Sequence, residues 1–194
     1  MSAACKPGVA RDRCFVPERL ERIFAACFLE SCCTRLAGGA REPLYQPAEK
    51  AGDLHLLWYR DDYFASALHE TAHWCIAGKA RREQTDFGYW YAPDGRSHAQ
   101  QQAFEAAESK PQALEWLFSR ACGFSFRLSA DNLNGLDGSV PDNGDFRLRV
   151  FTQARYWQEQ GLPARAAQFY RALCSEFGTT QAVADLHLTA DELR

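Results

Sequence analysis

The sequence predicts an α+β fold, a small β-sheet packed by helices, on three observations. The segment around His69-Glu70-Thr71-Ala72-His73 repeats Tyr63, Phe64, Ala67, Leu68, Ala72, Cys75 and Ile76 at helical intervals, with Gly78 as a stop. Leu54 to Tyr59, reading LHLLWY, is the best strand candidate, and Arg60-Asp61-Asp62 follows it as a turn. Two amphipathic stretches near the C-terminus, about 146–160 and 163–177, read as an antiparallel helical pair packed on the main body.

Taken in order, residues 1–15 read as a loose arm before a single domain over 16–178, and residues 179–194 read as a C-terminal tail. Val16-Pro17-Glu18 opens a helix to about Leu29, with Leu20, Ile23, Phe24, Cys27 and Phe28 as its buried stripe. Gly38-Gly39, Pro43 and Pro47 are expected to mark turns around a short extended piece at Leu44-Tyr45. Past the motif helix, Thr85 to Tyr91 is aromatic and expected to be extended, ending at the turn Pro93-Asp94-Gly95. A long helical region runs from near Ser97 to Cys122, where Pro111 is expected to force a bend or a break. A mid-helix proline costs about 3 kcal/mol, a cost avoided if Ser109-Lys110-Pro111-Gln112 is a fresh start with capping-box form. Residues 129–145 form a loop rich in Gly, Asn and Asp; without acidic alternation or a closing glutamate it is not a calcium loop. The last two helices bury Phe146, Val150, Ala154 and Trp157, then Ala166, Phe169, Tyr170 and Leu173.

Composition narrows the function classes. With 46% apolar residues, the 194-residue chain can bury a full core. A net charge of −3 offers no global basic field for nucleic acid. The 8 cysteines show no C-x-x-C pairing, the N-terminus lacks an apolar signal core, and no run approaches a membrane span. These features predict a cytoplasmic chain with reduced thiols and no membrane contact.

The chemistry lies in His69 and His73. Two imidazoles four residues apart share a helical face and are separated along the axis by roughly 6 Å, so both can reach one metal ion. A third protein ligand is required. The usual further histidine, six residues past the second, is replaced by Lys79, which disfavours a metzincin-type peptidase. Glu105 and Glu108 share a helical face further on, and Glu108, beside Phe104, Pro111, Leu114 and Phe118, is the better inward-pointing candidate. A His, His, carboxylate set accepts zinc, with Glu70 as the base of a compact gluzincin-type peptidase, or ferrous iron with dioxygen; ligand types alone do not separate these. Lys79, Arg81 and Arg82 form a cationic cluster just past the motif helix, either a solvated helix end or a docking patch for an acidic or RNA-bearing partner.

The stretch from His69 to Glu83, with Asp86-Phe87-Gly88-Tyr89-Trp90-Tyr91 and Pro93-Asp94-Gly95-Arg96, closely resembles the elongation factor P hydroxylase family. So do Phe104-Glu105, Glu108, Lys110 to Trp116 and Asp131-Asn132-Leu133, over a similarity covering roughly residues 17 to 175. The resemblance implies a cytoplasmic enzyme that hydroxylates a lysine of elongation factor P already carrying a β-lysyl group. It implies a zincin-like α+β fold and one divalent metal, Fe(II), held by His69, His73 and Glu108, with dioxygen as co-substrate and Glu70 in a catalytic or ligand-orienting role. The H-x-D…H pattern of the double-stranded β-helix oxygenases is absent, so 2-oxoglutarate is not predicted. Asp86, Glu105 and Glu115 are candidates to meet the cationic substrate, and Tyr89 and Trp90 to line its aliphatic stem. In the same picture Lys79, Arg81 and Arg82 meet the acidic exterior of the elongation factor.

Overall fold

Helix α1 (Pro17–Cys32) opens with proline in its first turn and closes on Cys33, whose left-handed backbone (φ 48°) turns its N–H back to the Phe28 carbonyl. Strand β1 (Thr34–Ala40) follows at once. β2 (Leu44–Gln46) and β3 (His55–Arg60) complete a three-stranded sheet ordered β1-β3-β2, with β1 parallel and β2 antiparallel to the central β3. The computed structural model describes residues 15–61, 63–86, 97–129 and 144–193.

The helix to Leu29, the extended piece at Leu44-Tyr45 and the strand at LHLLWY are thus found, but β1 corrects the reading of Gly38-Gly39 as a turn. These glycines sit inside a strand for a packing reason. A Cβ on Gly38 would stand 2.5 Å from the Tyr59 hydroxyl, and Gly39 has φ +86° where the β1–β3 register slips. Glu21 on α1 ties the two strands together, accepting from the Gly38 N–H at 3.0 Å and the Tyr59 hydroxyl at 2.9 Å.

Helix α2 (Phe64–Ile76) carries the H-E-x-x-H motif and packs on β3, α1 and helix α3 (His98–Cys122). Its apolar side buries Ala67, Leu68, Ala72, Trp74 and Cys75. The expected break at Pro111 is overturned, because α3 runs unbroken through it. The helix begins instead at a full capping box in which Ser97 and Gln100 satisfy each other's backbone N–H groups. From Pro111 to Ser119 every residue of α3 is buried, and packing on that scale offsets the lost hydrogen bond at proline.

Helices α4 (Gly144–Gln160) and α5 (Ala164–Phe177) are both found where expected, but they do not form a pair packed on each other: each packs on α3, and α5 also on α1 and α2. The segment after Gly178 lies on the body: Leu186, Leu188 and Leu193 are buried, and Gln158 donates to the Leu186 carbonyl at 2.6 Å. The central core is aromatic. Trp74 meets Phe24 and Phe28 at ring distances of 5.0 and 4.8 Å, and Phe118 meets Phe169 edge-on at 5.1 Å.

Candidate metal centre

The site is a polar seam between α2 and α3 inside an otherwise apolar interface. On α3 the buried polar residues Gln101, Glu105, Glu108, Gln112, Glu115 and Ser119 recur at intervals of 3 and 4, a continuous stripe on one face. The stripe meets α2 at His69 and His73. His69 Nε2 lies 3.4 Å from Glu108 Oε2, His73 Nε2 lies 3.2 Å from Glu108 Oε1, and the two Nε2 atoms are 3.1 Å apart.

Those distances fit a single ion. Two donors each about 2.1 Å from one metal stand roughly 3.0 to 3.4 Å apart when the angle between them is about 90 to 110°. Among the described residues, His69, His73 and Glu108 form the one group whose ligand atoms all lie within 4.8 Å of one another. The side chains are 25%, 15% and 5% exposed, so the set is reachable from the histidine side and closed behind the carboxylate. The three donors converge from one side, as a facial His, His, carboxylate set does.

Electrostatics keep the seam balanced without an ion. Burial opposes charge on Glu108, but His69 and His73 outweigh it and hold the carboxyl down to about 2. Burial likewise disfavours the His69 imidazolium, yet the Glu108 charge and the hydrogen bond to Glu115 raise it to about 10. Glu70 and Glu115 are pushed above the usual carboxylate range, chiefly by burial.

The other expected site residues divide. Glu115 is brought to the histidine pair: its Oε2 is 2.8 Å from His69 Nδ1, the ring nitrogen other than the one that faces Glu108 and His73. Glu105, read as the less inward-pointing of the two glutamates, is buried at 8% exposure and accepts from Gln101 Nε2 at 3.1 Å. Glu70 lines a cavity of about 30 Å³ with His73, Tyr45, Trp74 and Asp86. Asp86 bridges the edge strand through mutual backbone hydrogen bonds with Tyr45 and forms an ion pair with Arg81. Tyr89 and Trp90 lie outside the described residues.

The basic cluster splits. Arg81 is engaged with Asp86, Arg82 lies over the Trp74 ring at 5.8 Å, and Lys79 is exposed. A cleft of about 840 Å³ opens on His73 from the other side, between the end of α2, Lys110 and Pro111 on α3, and Gln153 and Tyr156 on α4.

Gln112, read in the sequence only as the close of a capping box with Ser109, instead lies one turn past Glu108 on the same face. Its amide closes a two-way bond with the Ser129 backbone at 2.6 and 3.0 Å. The signal was present in the spacing 108, 112, 115, which puts all three polar groups on one side of a helix that continues through Pro111.

Comparison with known proteins bears on the chemistry. A family model described as elongation factor P hydroxylase matches residues 23–187, extending past Gly178 into the segment read as a tail. The chain is also 46% identical over 162 residues to the elongation factor P lysine hydroxylase of Haemophilus influenzae, covering 84% of this chain and 89% of the relative. The gluzincin-type peptidase alternative receives no support, since both matches are hydroxylases. With most of its length matched and nearly half its aligned residues identical to a curated member, the chain belongs to the elongation factor P hydroxylase family.

Proposed function

We propose that this protein is a metal-dependent hydroxylase acting on elongation factor P, at the lysine that already bears a β-lysyl group. The observation that carries the reading is the convergence of His69 Nε2, His73 Nε2 and a Glu108 oxygen within reach of one ion, in a member of this family. The name of the 46% identical relative supports the substrate. The H-E-x-x-H helix packed between a small sheet and a second helix supports a zincin-like relationship for the fold. No helix among the described residues is long and apolar enough to cross a membrane, in keeping with a cytoplasmic enzyme meeting a translation factor.

His69, His73 and Glu108 hold the metal, for which we assign Fe(II), with dioxygen as co-substrate. Ferrous iron with open positions supplies the capacity to activate dioxygen. The overall reaction turns one C–H into C–OH and reduces the second oxygen atom to water, with two electrons and two protons from an external reductant. Glu70, beside His73 and with its carboxyl pushed up by burial, is placed to give or take a proton at its carboxyl oxygen. Asp86 and Glu105 are the carboxylates assigned to the cationic substrate, with Asp86 exchanging Arg81 for the incoming amine. The wide cleft at His73 admits the side chain, while Glu108, 5% exposed, is shielded from bulk water by burial. Lys79 faces the docking partner.

The test is the intact mass of elongation factor P co-produced with this protein, with a His73→Ala variant, or with neither. A gain of one oxygen only with the wild-type protein is expected. An unchanged mass with the wild-type protein, in a factor carrying the β-lysyl group, rejects the assignment.

A further inference from the structure

Glu115 was expected to face the substrate, but its position gives it a different task. It projects from α3 two turns past Glu108, is itself buried at 8% exposure, and places Oε2 2.8 Å from His69 Nδ1. An imidazole ring has two nitrogens on nearly opposite sides, and the hydrogen bond at one decides what the other can do. A carboxylate accepting from Nδ1–H leaves the Nε2 lone pair directed away from it, toward Glu108 and His73. The bond also stops the ring from rotating about its χ2 axis, a freedom that a side chain with 25% exposure otherwise keeps.

We propose that Glu115 is a positioning residue for the metal centre, locking the orientation and tautomer of His69 so that Nε2 is presented to the ion, and that it does not bind substrate. The inference rests on the metal site assigned above. A carboxylate behind a ligating imidazole fixes the ring and raises its basicity, and losing such a group typically weakens metal binding about 10- to 100-fold. Glutamine keeps an amide oxygen that can accept from Nδ1–H but lacks the negative charge, so it preserves orientation while giving up basicity.

The test titrates the metal-free full chain with Co²⁺ alone, following visible absorption and calorimetry, for wild type, Glu115→Ala, Glu115→Gln and His73→Ala. Expected are binding by wild type, loss in His73→Ala, a decrease of about 10- to 100-fold in Glu115→Ala, and an intermediate value in Glu115→Gln. Thermal melts of each variant show whether the chain is folded, and Glu115→Gln, nearly isosteric, serves if the alanine variant is not. Wild-type affinity in a folded Glu115→Ala or Glu115→Gln, with a raised KM for elongation factor P, overturns the positioning role in favour of substrate contact. Equal Co²⁺ binding by wild type and His73→Ala overturns it too, but by removing the metal site on which it rests.

Discussion

The two sides of helix α2 differ in kind. One buries Ala67, Leu68, Ala72, Trp74 and Cys75 into an aromatic core with Phe24, Phe28 and Phe169. The other presents His69 and His73 to a stripe of acidic and amide side chains on α3. Apolar contact is non-directional and adds up with area, so the first side holds the chain together whatever the solution contains. The second gathers like-charged carboxylates that stay compatible only through imidazolium partners or a cation. The lesson is a division of labour within thirteen residues: stability on one face, chemistry on the other.

The sharpest break comes from removing a ligand. His73→Ala should lower hydroxylation by more than about 100-fold, beyond the losses typical of outer-shell residues, and abolish metal uptake while the fold persists. Oxygen incorporation measured by mass, metal content and a melting curve read the three consequences together. A large loss of stability in that variant would show that the polar face also carries the fold.

Phe28→Ala attacks the opposite face. Deleting a fully buried phenylalanine costs about 3–5 kcal/mol, which lowers the melting midpoint by about 6 to 20 °C in a chain of this size. Activity per folded molecule should remain near wild type, as checked by scaling turnover to the folded fraction at low temperature.

Metal and pH sharpen the contrast further. An ion at 100 times its dissociation constant stabilises the native state by about 2.7 kcal/mol, and His73→Ala should erase that gain in a melting experiment. In the metal-free protein His69 is raised from 6.5 to about 10, so its contribution is complete below 6.5 and fades as pH rises through about 10. Glu108 is lowered from 4.5 to about 2, so its contribution is present above 4.5 and fades as pH falls through about 2. Metal displaces the His69 proton, so affinity should strengthen as pH rises toward about 10 and level off above it; affinity independent of pH below that point would contradict the balance described.

The smallest effect belongs to the surface. Lys79→Glu should leave stability within about 0.5 kcal/mol and raise the KM for elongation factor P severalfold at constant kcat. Lys79 is a cleaner probe than Arg81 or Arg82, because those two also hold Asp86 and cover Trp74.

Much of this arrangement was legible in the residues. The helical stripe of α1, the strand at LHLLWY, the motif helix and the last two helices all follow from apolar spacing, although those two pack on α3 rather than on each other. The carboxylate that joins the two histidines in the cluster was legible too, since Glu108 adjoins an apolar stripe. Strand β1 was hidden because TRLAGGA spends glycine on close approach to Tyr59, and glycine reads locally as a turn. Pro111 misled for a related reason: its cost is local and visible, while the burial that outweighs it comes from distant helices. The contact of Glu115 with His69 was obscured by treating each carboxylate singly, whereas it follows from the two-turn separation from Glu108 on an unbroken helix.

Arg165, in the first turn of α5, reaches back across the molecule and donates to the Trp74 and Ala77 carbonyls at 3.1 and 2.5 Å. It thereby clasps the final turn of the motif helix one to four residues beyond His73. A polypeptide ending before α5 would leave that turn free to fray and let the second imidazole wander, even if the remaining hydrophobic contacts stayed intact. The smallest working version of this enzyme therefore has to extend beyond its ligand-bearing segments, because a residue over ninety positions downstream steadies one of them.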